Sequence, residues 1–229
     1  MRLADARALV TGGSSGIGFA TAHKLIASGA RVAICGRDEK KLRRAADDLG
    51  ALAIHGDVSV ESDVVDAVRR VIAEFGDYNV LINNAGFGSF APLLETSLEE
   101  MQRLYATNVF GAMMMARESA RHFVSKQYGN IVNVASTASQ RGFAGGTAYA
   151  SSKFALHGLT ECWRAELRKS NIRVMQVNPS EVQTAFFRDR GYNPRKLHAE
   201  DIAETIAAML AMEDRGFVPD VTVWATNPD

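Results

Sequence analysis

A tyrosine and a lysine four residues apart are the side chains of this sequence best suited to acid–base chemistry. Tyr149 and Lys153 would project from one face of a helix. A free tyrosine has a pKa near ~10, and an ammonium about 5 Å away stabilises its phenolate by ~3 kcal/mol at an effective dielectric constant near ~20. The spacing therefore predicts a lowered pKa for Tyr149 and a general acid–base role. Taken alone, however, the pair is also typical of an ordinary helix surface.

A serine upstream of this pair is the candidate partner. Ser136 follows the apolar run 131–135, which predicts that it lies at the mouth of a buried strand. There it could donate a hydrogen bond to a substrate oxygen. The glycine-rich stretch 142–146 would let the chain fold back, so that Ser136 and Tyr149 meet.

The segment 11–18, T-G-G-S-S-G-I-G, indicates a phosphate-binding turn. It lies between a predicted strand at 8–10 and a predicted helix. Gly12 permits a tight turn, Gly16 lets the backbone approach a pyrophosphate, and Gly18 allows close packing of helix and strand. A purely structural turn is the alternative, but the position after the first strand favours dinucleotide binding.

The residues after the second predicted strand bear on the choice of cofactor. An NAD site usually has a carboxylate here, whereas this chain has Gly36 and then Arg37, which could pair with a 2′-phosphate. NADP(H) is therefore favoured, and NAD(H) stays open. Asp38 next door argues against the preference, and a solvated turn is the alternative role for Arg37.

Three further segments fit the same kind of site, and each has a structural alternative. Asp57 and Val58 follow the third predicted strand and could reach an adenine, or simply start a helix. The turn 83–86, N-N-A-G, would let a cofactor lie against the backbone and would tie neighbouring strands together. Asn108 lies within an apolar helical stretch, where it suggests a kink or a water site, or an outward-facing residue.

Composition indicates a globular protein with a sizeable core. The 229 residues are 47% hydrophobic and 23% charged, with no net charge, so no basic field points to nucleic acid or an anionic membrane. The charged N-terminus does not resemble a signal peptide, and no run is long enough to span a membrane. The two cysteines, Cys35 and Cys162, are predicted to be reduced and buried, and no metal site is expected. We expect a cytoplasmic protein.

Short apolar runs alternate with amphipathic stretches along the whole chain, and Asp38 and Ser59 are candidate helix caps. The predicted strands span 8–10, 31–35, 51–55, 80–82, 131–135, 172–177 and 220–224. The predicted helices end near 28, 49, 75, 126, 169 and 211, with the fourth continuous from 98 to 126. This pattern predicts an α/β fold, a doubly wound parallel sheet (Rossmann fold), as a single domain over 1–229.

Together these motifs resemble those of the short-chain dehydrogenase/reductase family, over nearly the whole chain. The shared features are the glycine-rich turn, N-N-A-G, the mid-helix asparagine, the serine and Y-x-x-x-K. The chain departs from the family at Ser180, where a glycine usually follows the proline.

The resemblance implies a role for each matching residue. Tyr149 is implied as the general acid/base, Ser136 as the ligand of the substrate oxygen, and Asn108 as the holder of a relay water. Lys153 is implied to hold the nicotinamide ribose and to lower the pKa of Tyr149. With Arg37, which is expected from its place after the second strand, the expected cofactor-binding residues are Gly12, Ser14, Ser15, Gly16, Ile17, Gly18, Arg37, Asp57, Val58, Asn84, Ala85, Gly86, Tyr149, Lys153, Pro179, Val182 and Thr184.

The family also implies hydride transfer between NADP(H) and a carbonyl or secondary alcohol. A substrate lid is expected around 185–198, where aromatic residues mix with Arg188, Arg190, Arg195 and Lys196. It could receive an acidic carrier such as acyl carrier protein, as in reductases of 3-oxoacyl thioesters, or its charges could be merely solvated. A homodimer or homotetramer is expected. A non-catalytic NADP(H)-sensing protein and a sugar-nucleotide epimerase or dehydratase are the rival interpretations.

Overall fold

A parallel sheet of seven strands organises the computed structural model of the chain, which describes residues 1–184 and 193–227. The strands are β1 (Arg7–Thr11), β2 (Arg31–Gly36), β3 (Leu52–His55), β4 (Val80–Asn83), β5 (Gly129–Val134), β6 (Ile172–Pro179) and β9 (Asp220–Val223), with β7 (Val182–Gln183) and β8 (Leu197–His198) forming a small separate pair. The helices are α1 (Gly16–Ala27), α2 (Glu39–Leu49), α3 (Glu61–Phe75), α4 (Leu98–Tyr105), α5 (Ala112–Lys126), α6 (Thr147–Leu167) and α7 (Ala199–Ala211).

The strand order β3-β2-β1-β4-β5-β6-β9 confirms the predicted doubly wound fold. The strand order reverses at β1: β2 and β3 are added on one side of it, and the later strands are added on the other side, beginning with β4, which pairs directly with β1. In such folds the crevice outside the carboxyl ends of the strands at this point is where ligands bind. The glycine-rich turn after β1 and the N-N-A-G turn after β4 both lie at that crevice.

Two apolar layers cover the faces of the sheet, as the nearly continuous apolar strands predict. Leu25 and Ile206 belong to the layer built with α1, α2 and α7. Val68 and Met115 belong to the layer built with α3 and α5. Each of these four side chains is buried.

The helix predicted to run unbroken from 98 to 126 is interrupted. A π-helical segment at Ala106–Gly111 separates α4 from α5, and Asn108 lies inside it. Segments of this kind are frequent at functional sites. The kink suggested by Asn108 is therefore present, while the prediction of one continuous α-helix is wrong.

Two smaller predictions are also wrong. Ser59 does not cap α3, because Val60 holds that position and the Ser59 hydroxyl instead donates to Asp57 Oδ1 at 2.7 Å. Cys162 is exposed on α6, whereas Cys35 is buried as expected. The neighbouring Trp163 takes the inward position on that part of α6.

Candidate active site

The glycine-rich turn forms a backbone cradle at the start of α1. Gly12 and Gly16 have φ angles of 65° and 56°, in the left-handed region that favours glycine. A Cβ on Gly18 would lie 2.4 Å from the carbonyl oxygen of Gly12, so only glycine fits there. Ser15 precedes the helix without capping it through its side chain. Free amide groups at a helix N-terminus beside an open glycine backbone fit the pyrophosphate of a dinucleotide.

The N-N-A-G turn is tied directly to this cradle. Asn84 donates from Nδ2 to the carbonyl oxygen of Thr11 at 2.9 Å, and the Thr11 hydroxyl accepts from the backbone of Asn84 and Ala85 at 3.0 Å each. Asn83 donates to Asn133 Oδ1 at 3.0 Å and so links β4 to β5. The asparagines therefore tie neighbouring strands together, as predicted.

Arg37 lies exposed at the carboxyl end of β2. Its guanidinium is 3.6 Å from Asp57 Oδ2, and 63% of its side chain is accessible. Ser14 lies next to Gly36, since a Cβ on Gly36 would be 3.7 Å from the serine hydroxyl. Asp38 turns away from this point, because its carboxylate accepts from Lys41 N at 3.0 Å and caps α2. The Asp38 carboxylate, which argued against NADP(H) in the sequence, is thus engaged in capping α2.

Asp57 and Val58 occupy the turn after β3, at the same edge of the sheet. Asp57 Oδ1 accepts from both the backbone and the hydroxyl of Ser59. Val58 is buried, and its side chain contacts Gly111 in the π-helical segment, where a Cβ would lie 2.8 Å from Val58 Cγ2. The backbone of Val58 and the side chain of Asp57 are therefore the groups placed to contact a cofactor.

The structure brings Ser136, Tyr149 and Lys153 together at the end of β5. The Ser136 side chain lies close enough to the Tyr149 hydroxyl to favour its ionised form. The Lys153 ammonium lies 5.9 Å from the centroid of the Tyr149 ring and donates to the carbonyl oxygen of Val134 at 3.0 Å. Both Tyr149 and Lys153 are buried, at 9% and 6% exposure, so the pair is not part of an ordinary helix surface.

The pKa values of this pair differ from the prediction. Burial raises the pKa of Tyr149, and the nearby Ser136 side chain opposes that rise only in part. Burial also lowers the pKa of Lys153 to about 8. The prediction of a lowered tyrosine pKa is wrong for this structure, because it counted the attraction between the two charged forms and left out the cost of burying each of them.

Asn108 faces inward and joins the π-helical segment to the site. Its Nδ2 donates to the carbonyl oxygen of Phe87 at 3.0 Å and to the Ser152 hydroxyl at 3.2 Å, and its Oδ1 accepts from Phe87 N at 3.1 Å. A Cβ on Gly86 would lie 3.0 Å from Asn108 Oδ1 and 3.8 Å from Lys153 Nζ. Asn108 and Lys153 therefore flank the same glycine, and the outward-facing alternative is wrong.

The segment after β6 passes over the glycine-rich turn. Thr184 Cγ2 would be 3.4 Å from a Cβ on Gly16, and Val182 is buried in the layer with α1 and α7. Pro179 ends β6, and the backbone of Ser180 donates to Val223 at 2.9 Å without a positive φ. Serine is thus accommodated where the family usually has glycine.

The predicted lid lies largely outside the described residues, which omit 185–192 and so Arg188 and Arg190. Of its basic residues, Arg195 is exposed and Lys196 forms an ion pair with Glu181. Part of the expected basic charge is therefore neutralised within the chain.

One group of side chains resembles a metal-ligand set among the residues that the structure describes. His157, Glu161 and Asp220 place their ligand atoms within 4.8 Å of one another. The Arg164 guanidinium pairs with both Glu161 and Asp220, so the two carboxylates already have a cation between them. We interpret this group as an ion-pair network.

Two phenylalanines beside the site were not found by sequence reasoning. Phe90 lies 5.3 Å from Tyr149 between ring centroids, and Phe143 lies 6.1 Å from Phe90. Their position in loops with no periodic pattern gave no signal beyond their aromatic character.

None of the helices in the described ranges combines the length and apolar character needed to cross a membrane. The expected cytoplasmic location stays a prediction.

Comparison with known proteins identifies the class to which this fold and site belong. The family model described as short chain dehydrogenase matches residues 6–194, so the chain belongs to the short-chain dehydrogenase family. It is an NAD(P)-dependent oxidoreductase, which disfavours the non-catalytic alternative.

Particular relatives extend this result. An uncharacterized oxidoreductase of Bacillus subtilis, YxnA, is 33% identical over 81% of this chain, which spans 54% of that protein. A 3-ketoacyl-(acyl-carrier-protein) reductase from Brucella melitensis, solved with NADH, has a TM-score of 0.88 at 31% identity, with 96% of each chain covered. An alcohol dehydrogenase from Thermococcus sibiricus, solved with 5-hydroxy-NADP, has a TM-score of 0.87 at 27% identity, again with 96% of each chain covered.

Proposed function

We propose that this protein is an NADP(H)-dependent oxidoreductase that interconverts a carbonyl compound and a secondary alcohol. The observation that carries the proposal is the buried group in which Ser136 and Lys153 both lie beside Tyr149. When bound, the nicotinamide supplies or accepts the hydride. The protein's part is then to orient the substrate oxygen and to move one proton.

In the reducing direction, Ser136 donates a hydrogen bond to the substrate oxygen, and Tyr149 gives its hydroxyl proton to that oxygen as the alcohol forms. The raised pKa of Tyr149 keeps it protonated at neutral pH, which suits a proton donor. In the oxidising direction the same hydroxyl has to accept the proton. Which direction the cell uses depends on the cofactor ratio and the metabolite levels.

Lys153 and Asn108 support this proton transfer. We assign to Lys153 the stabilisation of the tyrosinate that is left after the proton moves, because an ammonium 5.9 Å from the ring favours the anion. Asn108 positions the backbone of Phe87 and faces Gly86 next to Lys153. Its Oδ1 keeps a second lone pair with which to hold the water of a proton relay to Lys153.

The preference for NADP(H) rests on the end of β2. Arg37 is exposed there, Ser14 lies beside Gly36, and the Asp38 carboxylate is engaged in capping α2. A guanidinium pairs well with a phosphate and gives nothing comparable to a ribose hydroxyl. The known structures similar to this chain include complexes with both kinds of cofactor, so they do not decide the choice.

Replacing Arg37 tests this preference. Arg37→Ala should lower kcat/KM for NADPH by about 10- to 100-fold, the loss expected for one charge-assisted hydrogen bond, and should change that for NADH little. Arg44→Ala, at an exposed arginine on α2, is the matched control. Equal losses with both cofactors would contradict the role of Arg37 as the phosphate reader.

The substrate is proposed only as a class. The likeness to a 3-ketoacyl-(acyl-carrier-protein) reductase supports a trial of 3-oxoacyl thioesters. Arg195 is exposed in the expected lid, and Lys196 is paired with Glu181. Oxidation of NADPH and NADH should be followed at ~340 nm with acetoacetyl thioesters, diketones, quinones, ketones and aldehydes. NADPH binding without turnover of any of them would contradict the proposed function.

A homodimer or homotetramer is proposed for the assembly. Phe110 in the π-helical segment and Phe154 on α6 are 53% and 45% exposed, and Val124 on α5 is 39% exposed. Large exposed apolar side chains on these elements support an interface there.

A further inference from the structure

Two half-exposed aromatic rings stand beside Tyr149. Phe90 is 46% exposed and Phe143 is 49% exposed, although both lie next to a tyrosine that is 9% exposed. The Phe90 ring is 5.3 Å from the Tyr149 ring at an angle of 60°, and 6.1 Å from the Phe143 ring at 40°. These distances are those of interacting aromatic pairs. The rings thus form a continuous aromatic surface that leads from the solvent to Tyr149.

Backbone contacts hold the two rings in this position. Phe90 is followed by Ala91, whose backbone N donates to the carbonyl oxygen of Gly145 at 2.9 Å, and Ala91 forms a bridge with Gly146. The loop after β4 is therefore fastened to the loop that carries Phe143. A Cβ on Gly146 would lie 2.8 Å from Phe143 Cζ, so the absence of a side chain there leaves room for the ring.

The arginines nearest in the chain to these loops are directed elsewhere. Arg141 lies over the Trp224 ring at 5.1 Å from its centroid. Arg103 lies over the Phe87 ring at 4.9 Å and forms an ion pair with Glu100. As far as residues 1–184 and 193–227 show, the surface made by Phe90 and Phe143 is therefore suited to an uncharged, apolar part of a ligand.

We propose that Phe90 and Phe143 form the specificity wall of this site and select carbonyl compounds that carry an aryl or similarly bulky apolar group next to the carbonyl carbon. This inference rests on the proposed function, since it places the substrate oxygen at Ser136 and Tyr149. An aryl group on the wall would bury apolar area and pair with the rings, whereas a methyl or ethyl group would leave most of the wall exposed.

The selectivity between two ketones tests the wall. We would measure kcat/KM with NADPH for acetophenone and for butan-2-one in the wild type, Phe90→Ala and Phe143→Ala. The wild type should favour acetophenone, and each variant should lower the ratio of the two kcat/KM values by about tenfold or more. Leu94→Ala, which shortens a side chain that is 98% exposed in the same loop region, should leave the ratio unchanged.

A second set of variants separates the wall from a loss of folding. Phe90→Leu keeps an apolar side chain and should lose less of the ratio than Phe90→Ala. Gly146→Ala removes no aromatic ring but displaces that of Phe143, so it should lower the ratio as well. A ratio that is unchanged in all the wall variants, while both ketones are still reduced, would overturn the inference.

Binding distinguishes a failure of the wall from a failure of the proposed function. The affinity for acetophenone would be measured by calorimetry with NADP⁺ present, in the wild type and in Phe90→Ala. If the wild type reduces no ketone but binds acetophenone more tightly than Phe90→Ala does, the wall is supported and the reductase function is contradicted. Equal affinity in the two proteins would overturn the wall whether or not turnover is seen.

Discussion

Burial dominates the electrostatics of the single residues in this site. Lys153 and Tyr149 are both buried, and burial favours the neutral form of each by lowering the pKa of the lysine and raising the pKa of the tyrosine. The attraction between an ammonium and a phenolate, which the spacing predicts, applies only once both are charged. The residues therefore rest in a state in which Tyr149 holds its proton.

Replacing Lys153 tests how strongly burial acts on it. Its pKa is 10.5 in the unfolded chain and about 8 when folded, so the unfolded chain binds more protons between these pH values and stability rises with pH across them. Below pH ~8 the full cost of burying the ammonium is present. Lys153→Met lacks this cost at every pH. Between pH ~7 and ~9.5, the free energy of unfolding of the wild type should therefore rise by about 2 kcal/mol more than that of the variant.

Urea denaturation at a series of pH values measures this gain. The tyrosine, whose pKa is raised, begins to matter only near its unfolded pKa of ~10, above the window used. Lys126→Met, at an exposed lysine on α5, is the control and should track the wild type. Parallel profiles for the wild type and Lys153→Met would show that Lys153 is not held in a desolvated position.

The sequence predicts the residues of the site better than their surroundings. Tyr149 and Lys153 meet because of local helical spacing, and Ser136 and Gly12 lie at strand ends that a parallel sheet brings to one edge. The partners of Asn108 and the wall of Phe90 and Phe143 depend on how separate loops pack, and no short pattern contains that information.

Among the elements, the strands and the ends of the helices were predictable, whereas the interruption of the helix predicted over 98–126 was not. Strands buried on both faces must be apolar, which makes them visible in the sequence. The pair β7 and β8 is too short for such a pattern. Only Asn108 indicated the π-helical segment. A π-helical turn has a different hydrogen-bond pattern from an α-helical turn, but it is built from the same kinds of residue, so the sequence does not distinguish the two. The wrong assignment of Ser59 as a cap arose because Asp57 competes for its hydroxyl.

The turn between β1 and α1 should tolerate no side chain at Gly18. A methyl group there would lie 2.4 Å from the Gly12 carbonyl oxygen and 2.5 Å from Asn84 Nδ2. Gly18→Ala should lower the free energy of unfolding by about 1–3 kcal/mol and weaken NADPH binding, because the backbone must shift. Thermal unfolding and fluorescence titration with NADPH measure the two effects.

Gly158 provides the matched control for this substitution. It lies in α6 with nothing within 4 Å of an added Cβ. Gly158→Ala should stabilise the helix by about 0.5–1 kcal/mol and leave NADPH binding unchanged. If Gly18→Ala behaved like Gly158→Ala, the account of the cradle would be wrong.

For the whole molecule, exposed apolar residues on α5, α6 and the segment between α4 and α5 are the surface that we propose a second copy of the chain buries. Light scattering at micromolar concentration should give at least twice the chain mass of 24.8 kDa. Phe154→Asp should shift the mass toward the monomer, because it puts a charge into the proposed interface. Val65→Asp, at a valine that is 42% exposed on α3, should leave the assembly intact. A monomeric wild type would contradict the proposed interface.

Tyr149 is proposed as the proton donor to a carbonyl oxygen, and the variant Tyr149→Phe removes that donor alone. This variant keeps the ring that packs against Phe90 and loses only the hydroxyl that lies beside Ser136. With a carbonyl substrate that the wild type reduces, we would measure turnover and the dissociation constant of NADPH in both proteins. We expect turnover to fall by about 10²–10⁴-fold while NADPH affinity stays close to that of the wild type. Turnover near the wild-type rate would contradict the mechanism.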